Sequence, residues 1–206
     1  MSLIRTKMKK TLFFLLNIIL LVGVLTSCND DKQLQQAQRE RYMQHQDSVF
    51  NYLETNWKIE FPKTTPELTN LLKEWNAWQE FQKEAVLKPT TSIDAYQKKI
   101  SQLENKVQSI TFIKYPKALD ERDVKARMTV FFNSVKNLNM FLNLDPIDIA
   151  KVDAQMKQVN KDLAILTKQM EKNLEVAKVP LEIGEEEMLE LLNDERRANP
   201  EEQSGN

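Results

Sequence analysis

Cysteine occurs once in the 206 residues, at Cys28, and histidine once, at His45. With a single cysteine no intramolecular disulfide can form, so stability has to come from packing. Ser-His-Asp or Cys-His catalysis would have to run through His45, which sits in a Gln-rich segment that reads as surface. Glycine is almost as scarce. Gly23, Gly184 and Gly205 leave the stretch from Asn29 to Ile183 without one. A body so poor in tight-turn residues disfavours a β-rich fold, and no phosphate-cradling glycine loop exists. There is no Glu-x-x-His pair for a di-iron bundle. Glu185-Glu186-Glu187 lacks the alternating ligands and turn glycine of a calcium loop and reads as an acidic first turn of a helix. Charge of one sign is also missing: Lys and Arg number 29, Asp and Glu 30. Without a basic stripe, nucleic acid is not an expected partner. The expectation is a chain with no cofactor, no metal and no catalytic residue.

What is present begins at the N-terminus. Arg5, Lys7, Lys9 and Lys10 precede any acidic residue, and an apolar run from Thr11 to Val24 follows, interrupted only by Asn17. A basic start, a short apolar run and small residues at its end form a secretory signal. The run is shorter than the roughly 20 residues of a comfortable membrane span. Met8-Lys9-Lys10 looks like a more usual start than Met1. Setting the four basic residues of this segment aside leaves 25 basic against 30 acidic residues, and nine of the acidic ones lie from Glu182 onward.

Leu25-Thr26-Ser27-Cys28 closes the signal. The stretch resembles the lipobox of bacterial lipoproteins: an aliphatic residue, two small ones, then cysteine. The resemblance covers only about the first thirty residues. It implies cleavage between Ser27 and Cys28, a diacylglyceryl thioether on the Cys28 sulfur, an acylated amine with fatty acid such as palmitate, and membrane attachment at the cell envelope, in the outer membrane. Thiolate is the soft nucleophile such chemistry needs. Two or more acyl chains hold firmly where one does not. The competing reading is a retained signal anchor with an incidental cysteine. Asn29-Asp30-Asp31-Lys32 resembles the acidic surface-export signal of some Gram-negative lipoproteins, and reads equally as a linker with acidic caps for a first helix.

The body has helical periodicity throughout. A polar stretch to residue 41, tether or solvated helix, leads into Tyr42, Val49, Leu53 and Trp57 on one face, closed by Pro62. Thr64 with Glu67 forms a capping box, with Pro66 in the first turn of a helix carrying Leu68, Leu71, Trp75, Trp78 and Ala85 to about Leu87. A third helix, capped within Thr90–Ser92, carries the seam Ile93, Tyr96, Ile100, Leu103, Val107 and Ile110. A fourth, from about Lys117 to Leu144, carries Val124, Met128, Phe131, Val135, Leu138 and Leu142. Asp145-Pro146 starts the fifth, with Ile149, Val152, Met156, Val159, Leu163, Leu166, Met170, Leu174 and Ala177 to about Lys178. Pro180 ends it. A short acidic helix after Gly184 and a disordered tail from Asn193 are expected.

The fold class expected is therefore all-α: an elongated up-and-down bundle of four to five long helices with a short acidic C-terminal helix. A three-helix coiled coil with an added hairpin is the competing layout. The divisions are 1–27 cleaved signal, 28–41 lipidated N-terminus and tether, 42–180 bundle, and 181–206 acidic helix and tail. Functionally the expectation is a non-enzymatic, lipid-anchored module that meets a protein partner of the envelope. The alternative is a bundle that binds or senses a small ligand near Trp75 and Trp78. An enzyme working with carboxylates alone comes third, since no pair has an apolar setting that would raise a pKa.

Overall fold

The computed structural model describes Phe13 and residues 31–178. Cleavage of the signal, the helix after Gly184 and the tail lie outside the described residues. Among those residues there are helices and loops and no strand. The chain divides after Asn56 into two units.

Beyond Phe13, the described part of the first unit is one helix, α1, over residues 31–56. The helix takes in the polar stretch up to residue 41 and stops at 56, ahead of Pro62. Val49 and Leu53 are buried, as their spacing predicts, but Tyr42 is exposed together with Leu34 and Met43. The residues beside Tyr42 along the helix, Gln38, Arg39 and Gln46, are polar, so no apolar stripe continues through it.

The second unit opens with a non-helical strap over residues 57–65. Trp57, Ile59 and Phe61 are less exposed than Lys58, Glu60 and Lys63, the two-residue alternation of an extended chain. Two side chains of α6 (Ile149–Val176) hold the strap. Asn160 accepts from the Glu60 N–H at 2.9 Å and donates to the Lys58 carbonyl at 3.0 Å. Glu171 accepts from the Thr65 N–H at 2.9 Å, and Lys178, just past the helix, pairs with Glu67. The strap and α6 therefore run in the same direction.

Next come α2 (Pro66–Glu74) and α3 (Asn76–Val86). Thr65, rather than Thr64, is the cap of α2: its hydroxyl accepts from the Leu68 N–H at 3.4 Å, with Pro66 at the first position. The single helix expected here is broken at Trp75, whose φ of −89° and ψ of 92° are extended. The break frees the Leu72 carbonyl, which a continuous helix would join to the Asn76 N–H. The Gln79 side chain donates to it instead, at 3.0 Å. The turned backbone also lets the Trp75 and Trp78 rings stack, 6.0 Å apart and 16° from parallel.

Helix α4 (Ile93–Phe112) is capped by Ser92. A 3-10 turn at Lys117–Leu119 comes before α5 (Arg122–Leu142), so the fourth helix starts later than its sequence suggested. Asp148, not Asp145, caps α6, accepting from the Lys151 N–H at 3.2 Å, while Asp145-Pro146 is a cis bond in the preceding loop. Rungs between helices set their directions. Lys106 meets Glu80 and Lys99 meets Glu84, so α3 and α4 are antiparallel. Ser101 donates to Asn139 and Gln97 to the Leu142 carbonyl, so α4 and α5 are too. Ser134 meets Asp162, and Lys151 lies over Phe141, giving the same relation for α5 and α6. The seam residues of α4, α5 and α6 from Tyr96 to Leu174 are buried, Ile149 partly; at the ends of the predicted seams Ile93 is partly buried and Ala177, past the end of α6, is exposed. Burying a Leu, Ile or Val side chain contributes about 1.5–3 kcal/mol, so these seams dominate what holds the unit together.

Candidate functional site

Ser27 and Cys28 lie outside the described residues, as does Glu185-Glu186-Glu187. His45 is half-buried on α1. Among the described residues no group of His, Cys, Asp or Glu is gathered as a metal site, and no helix is long and apolar enough to cross a membrane.

Trp75 and Trp78 are core residues. Tyr115, Trp75, Trp78, Phe81 and Phe131 form a continuous run of ring contacts, with centroids 4.9 to 6.0 Å apart. Phe61 of the strap joins it, 6.5 Å from Trp78 and 5.6 Å from Phe81. Offset and edge-on pairs of this kind add about 0.5–1.5 kcal/mol each beyond burial.

One side of this cluster opens into a cavity of about 200 Å³ between the strap, α2, α3 and α6. Phe61 and Pro62 give it an apolar wall, and the buried Trp78 and Leu72 lie at its floor. The rest of its lining is polar: Thr64, Thr69, Thr167, Gln79, Gln82 and Lys73. Lys73 enters no ion pair among the described residues. The break at Trp75 turns α3 away from the line of α2, so Leu72 and Gln79 face a common space.

The polar groups buried in the second unit were not legible as a set. Asp162 accepts from the Ser134 hydroxyl and, at 2.8 Å, from the Gln158 amide, sealed between α5 and α6. The Thr167 hydroxyl donates to the Leu163 carbonyl at 2.9 Å. Lys99 is almost fully buried, its ammonium donating to both the carboxylate and the carbonyl of Glu84. Asp162 is the one buried acid among the described residues; a carboxylate-pair mechanism needs a second one facing it. On the surface, the hydrogen bond and charge of Lys106 hold the Glu80 carboxyl below its ordinary range. Burial pushes the Tyr115 hydroxyl up to about 12, with Asp120 adding to the shift. Lys125 bridges this pair, 2.5 Å from Asp120 and 5.8 Å from the Tyr115 ring centre.

No family model, no curated protein and no solved structure matches this chain.

Proposed function

We propose that this protein is a lipid-anchored component of a bacterial cell envelope, held in the outer membrane by acyl chains on Cys28, whose helical body is a non-enzymatic interaction module. The observation that carries the reading is Leu25-Thr26-Ser27-Cys28 at the end of a basic-then-apolar segment, with the chain's one cysteine at the position the lipidation chemistry requires. Removal of the segment before Cys28 leaves a lipidated N-terminus leading into α1, followed by the helical unit from Trp57. Residues 181–206 add a short acidic helix and tail. A partner protein is supported by apolar side chains left in water at helix ends: Phe112, 81% exposed, with Ile113 after α4, and Val86 with Leu87 after α3. Crosslinking in intact membranes followed by identification of the captured proteins tests the partner. The same specific protein in repeated captures is the expected result, and recovery of abundant envelope proteins only would count against it.

The second reading is a ligand-binding bundle, favoured by the cavity beside Trp78. A thermal-shift screen of small metabolites against the full chain tests it. At least one stabilising compound is expected, and a screen without any would remove the reading.

A further inference from the structure

We propose that the cavity beside Trp78 takes a single uncharged, hydroxylated ring of monosaccharide size. The proposal names the ligand class for the ligand-binding reading and rests on that reading. Size comes first. About 200 Å³ is smaller than the roughly 300–1,000 Å³ of pockets for drug-sized ligands, so it suits one ring and not two.

The walls come second. Phe61, only partly buried, offers aromatic surface against which the C–H face of a saturated ring is buried with good dispersion contact, while Trp78, 2% exposed, lies at the floor beneath it. The remaining lining is amide and hydroxyl, with Lys73 the single ionisable side chain.

Proton accounting then selects the class. The Thr69 hydroxyl donates to the Thr65 carbonyl at 2.8 Å. In its 2.7 Å contact with Thr64, Thr64 must therefore be the donor. The Thr167 hydroxyl proton goes to the Leu163 carbonyl. Thr64 and Thr167 are left with oxygens that accept and have no proton to give. Gln79 has one N–H on the Leu72 carbonyl, which leaves its own oxygen and a second N–H. Gln82 has no side-chain partner among the described residues, so its whole amide is open.

Such a lining asks for a ligand that donates to several oxygens and accepts from two amides. Ring hydroxyls do both. A carboxylate would find donors in Lys73 and the Gln79 and Gln82 amides, but it donates nothing and would leave the oxygens of Thr64, Thr167 and Gln79 without a proton. A plain hydrocarbon ring would strip water from these groups and return no hydrogen bond.

The test uses the full chain in a detergent without a sugar headgroup. Glucose, galactose and N-acetylglucosamine are the probes, and benzoate is the acid control, read by saturation-transfer NMR and titration calorimetry. At least one sugar is expected to bind with a millimolar or tighter dissociation constant through its C–H face. Gln82→Ala removes about one hydrogen bond from the site and none from the protein, so it should weaken binding about tenfold with an unchanged melting curve. Phe61→Ala should weaken it further. Benzoate binding without any sugar binding would overturn the hydroxylated ring and leave the ligand-binding reading standing. Binding by none of the four would overturn the proposal, and the metabolite screen would then decide the wider reading. Sugar binding unaffected by both substitutions would overturn the placement at this cavity.

Discussion

Asp162 shows how a single residue departs from the pattern around it. Its neighbours Val159, Leu163 and Leu166 belong to the buried seam, and it flanks that seam where a polar residue normally meets water. Here α5 covers it, and Ser134 and Gln158 satisfy the carboxyl group. Asp162→Ala removes the acceptor of the Gln158 amide and leaves the Ser134 hydroxyl only the Val130 carbonyl, 3.3 Å away, so each lost bond should cost about 0.5–1.5 kcal/mol, readable from the urea midpoint. Tyr115 makes a prediction of opposite character. Its hydroxyl titrates at 10.0 when unperturbed and at about 12 in the fold, because burial and then Asp120 favour the neutral form. A raised pKa gives stability that is whole below the unfolded value and is lost as pH rises through the folded one, here between pH 10 and 12. Between about pH 9 and about pH 11.5 the wild type should therefore lose on the order of 1–2 kcal/mol more than Tyr115→Phe, measured by denaturation at each pH. Neither residue announces itself in the sequence. Polarity beside a seam reads as a solvated face until the neighbouring helix is known.

At the scale of elements, the seams of α4, α5 and α6 were legible because a three- and four-residue rhythm repeated over many turns leaves only one face to bury. Helix ends were legible where a cap or proline marks them, as at Ser92 and Pro66. Two features were not. The break at Trp75 falls inside an unbroken helical rhythm, with no glycine or proline to signal it; ring stacking and the Gln79 side chain sustain it. The strap carries a signal, the alternation Trp57-Lys58-Ile59-Glu60-Phe61, but continuity of Trp57 with Val49 and Leu53 at helical spacing obscured it. Trp75→Ala should cost about 3–5 kcal/mol, as large aromatic-to-alanine changes in cores do, with a correspondingly lower melting temperature. Asn160→Ala should be milder and local. Losing two hydrogen bonds to the strap, each about 0.5–1.5 kcal/mol, should speed hydrogen exchange at the Glu60 amide while the amides in the middle of α5 keep their protection.

At the scale of the whole molecule, the chain combines a body stabilised by apolar seams with a start whose only reactive side chain is Cys28. In the sequence, the proposed lipidation site rests on a basic start, a short apolar run, small residues and a lone cysteine, and the helices on periodicity. The cavity was hidden, because its shape depends on the unforeseen strap and break at Trp75 and on Thr167 of α6, distant along the chain from the other lining residues. If the body meets a partner, Phe112→Ser should leave the melting temperature within about 1 °C of the wild type, since an exposed side chain contributes little to folding. The same change should reduce capture of the partner in membranes. The central claim is tested most directly by metabolic labelling with a clickable fatty acid, comparing the full chain with Cys28→Ala in the membranes of a Gram-negative host. The account predicts label on the wild type, a mature N-terminus at Cys28, and neither in the variant, which keeps its helical circular dichroism. Label that persists in Cys28→Ala, or a wild type that carries none and retains the segment before Cys28, would contradict it.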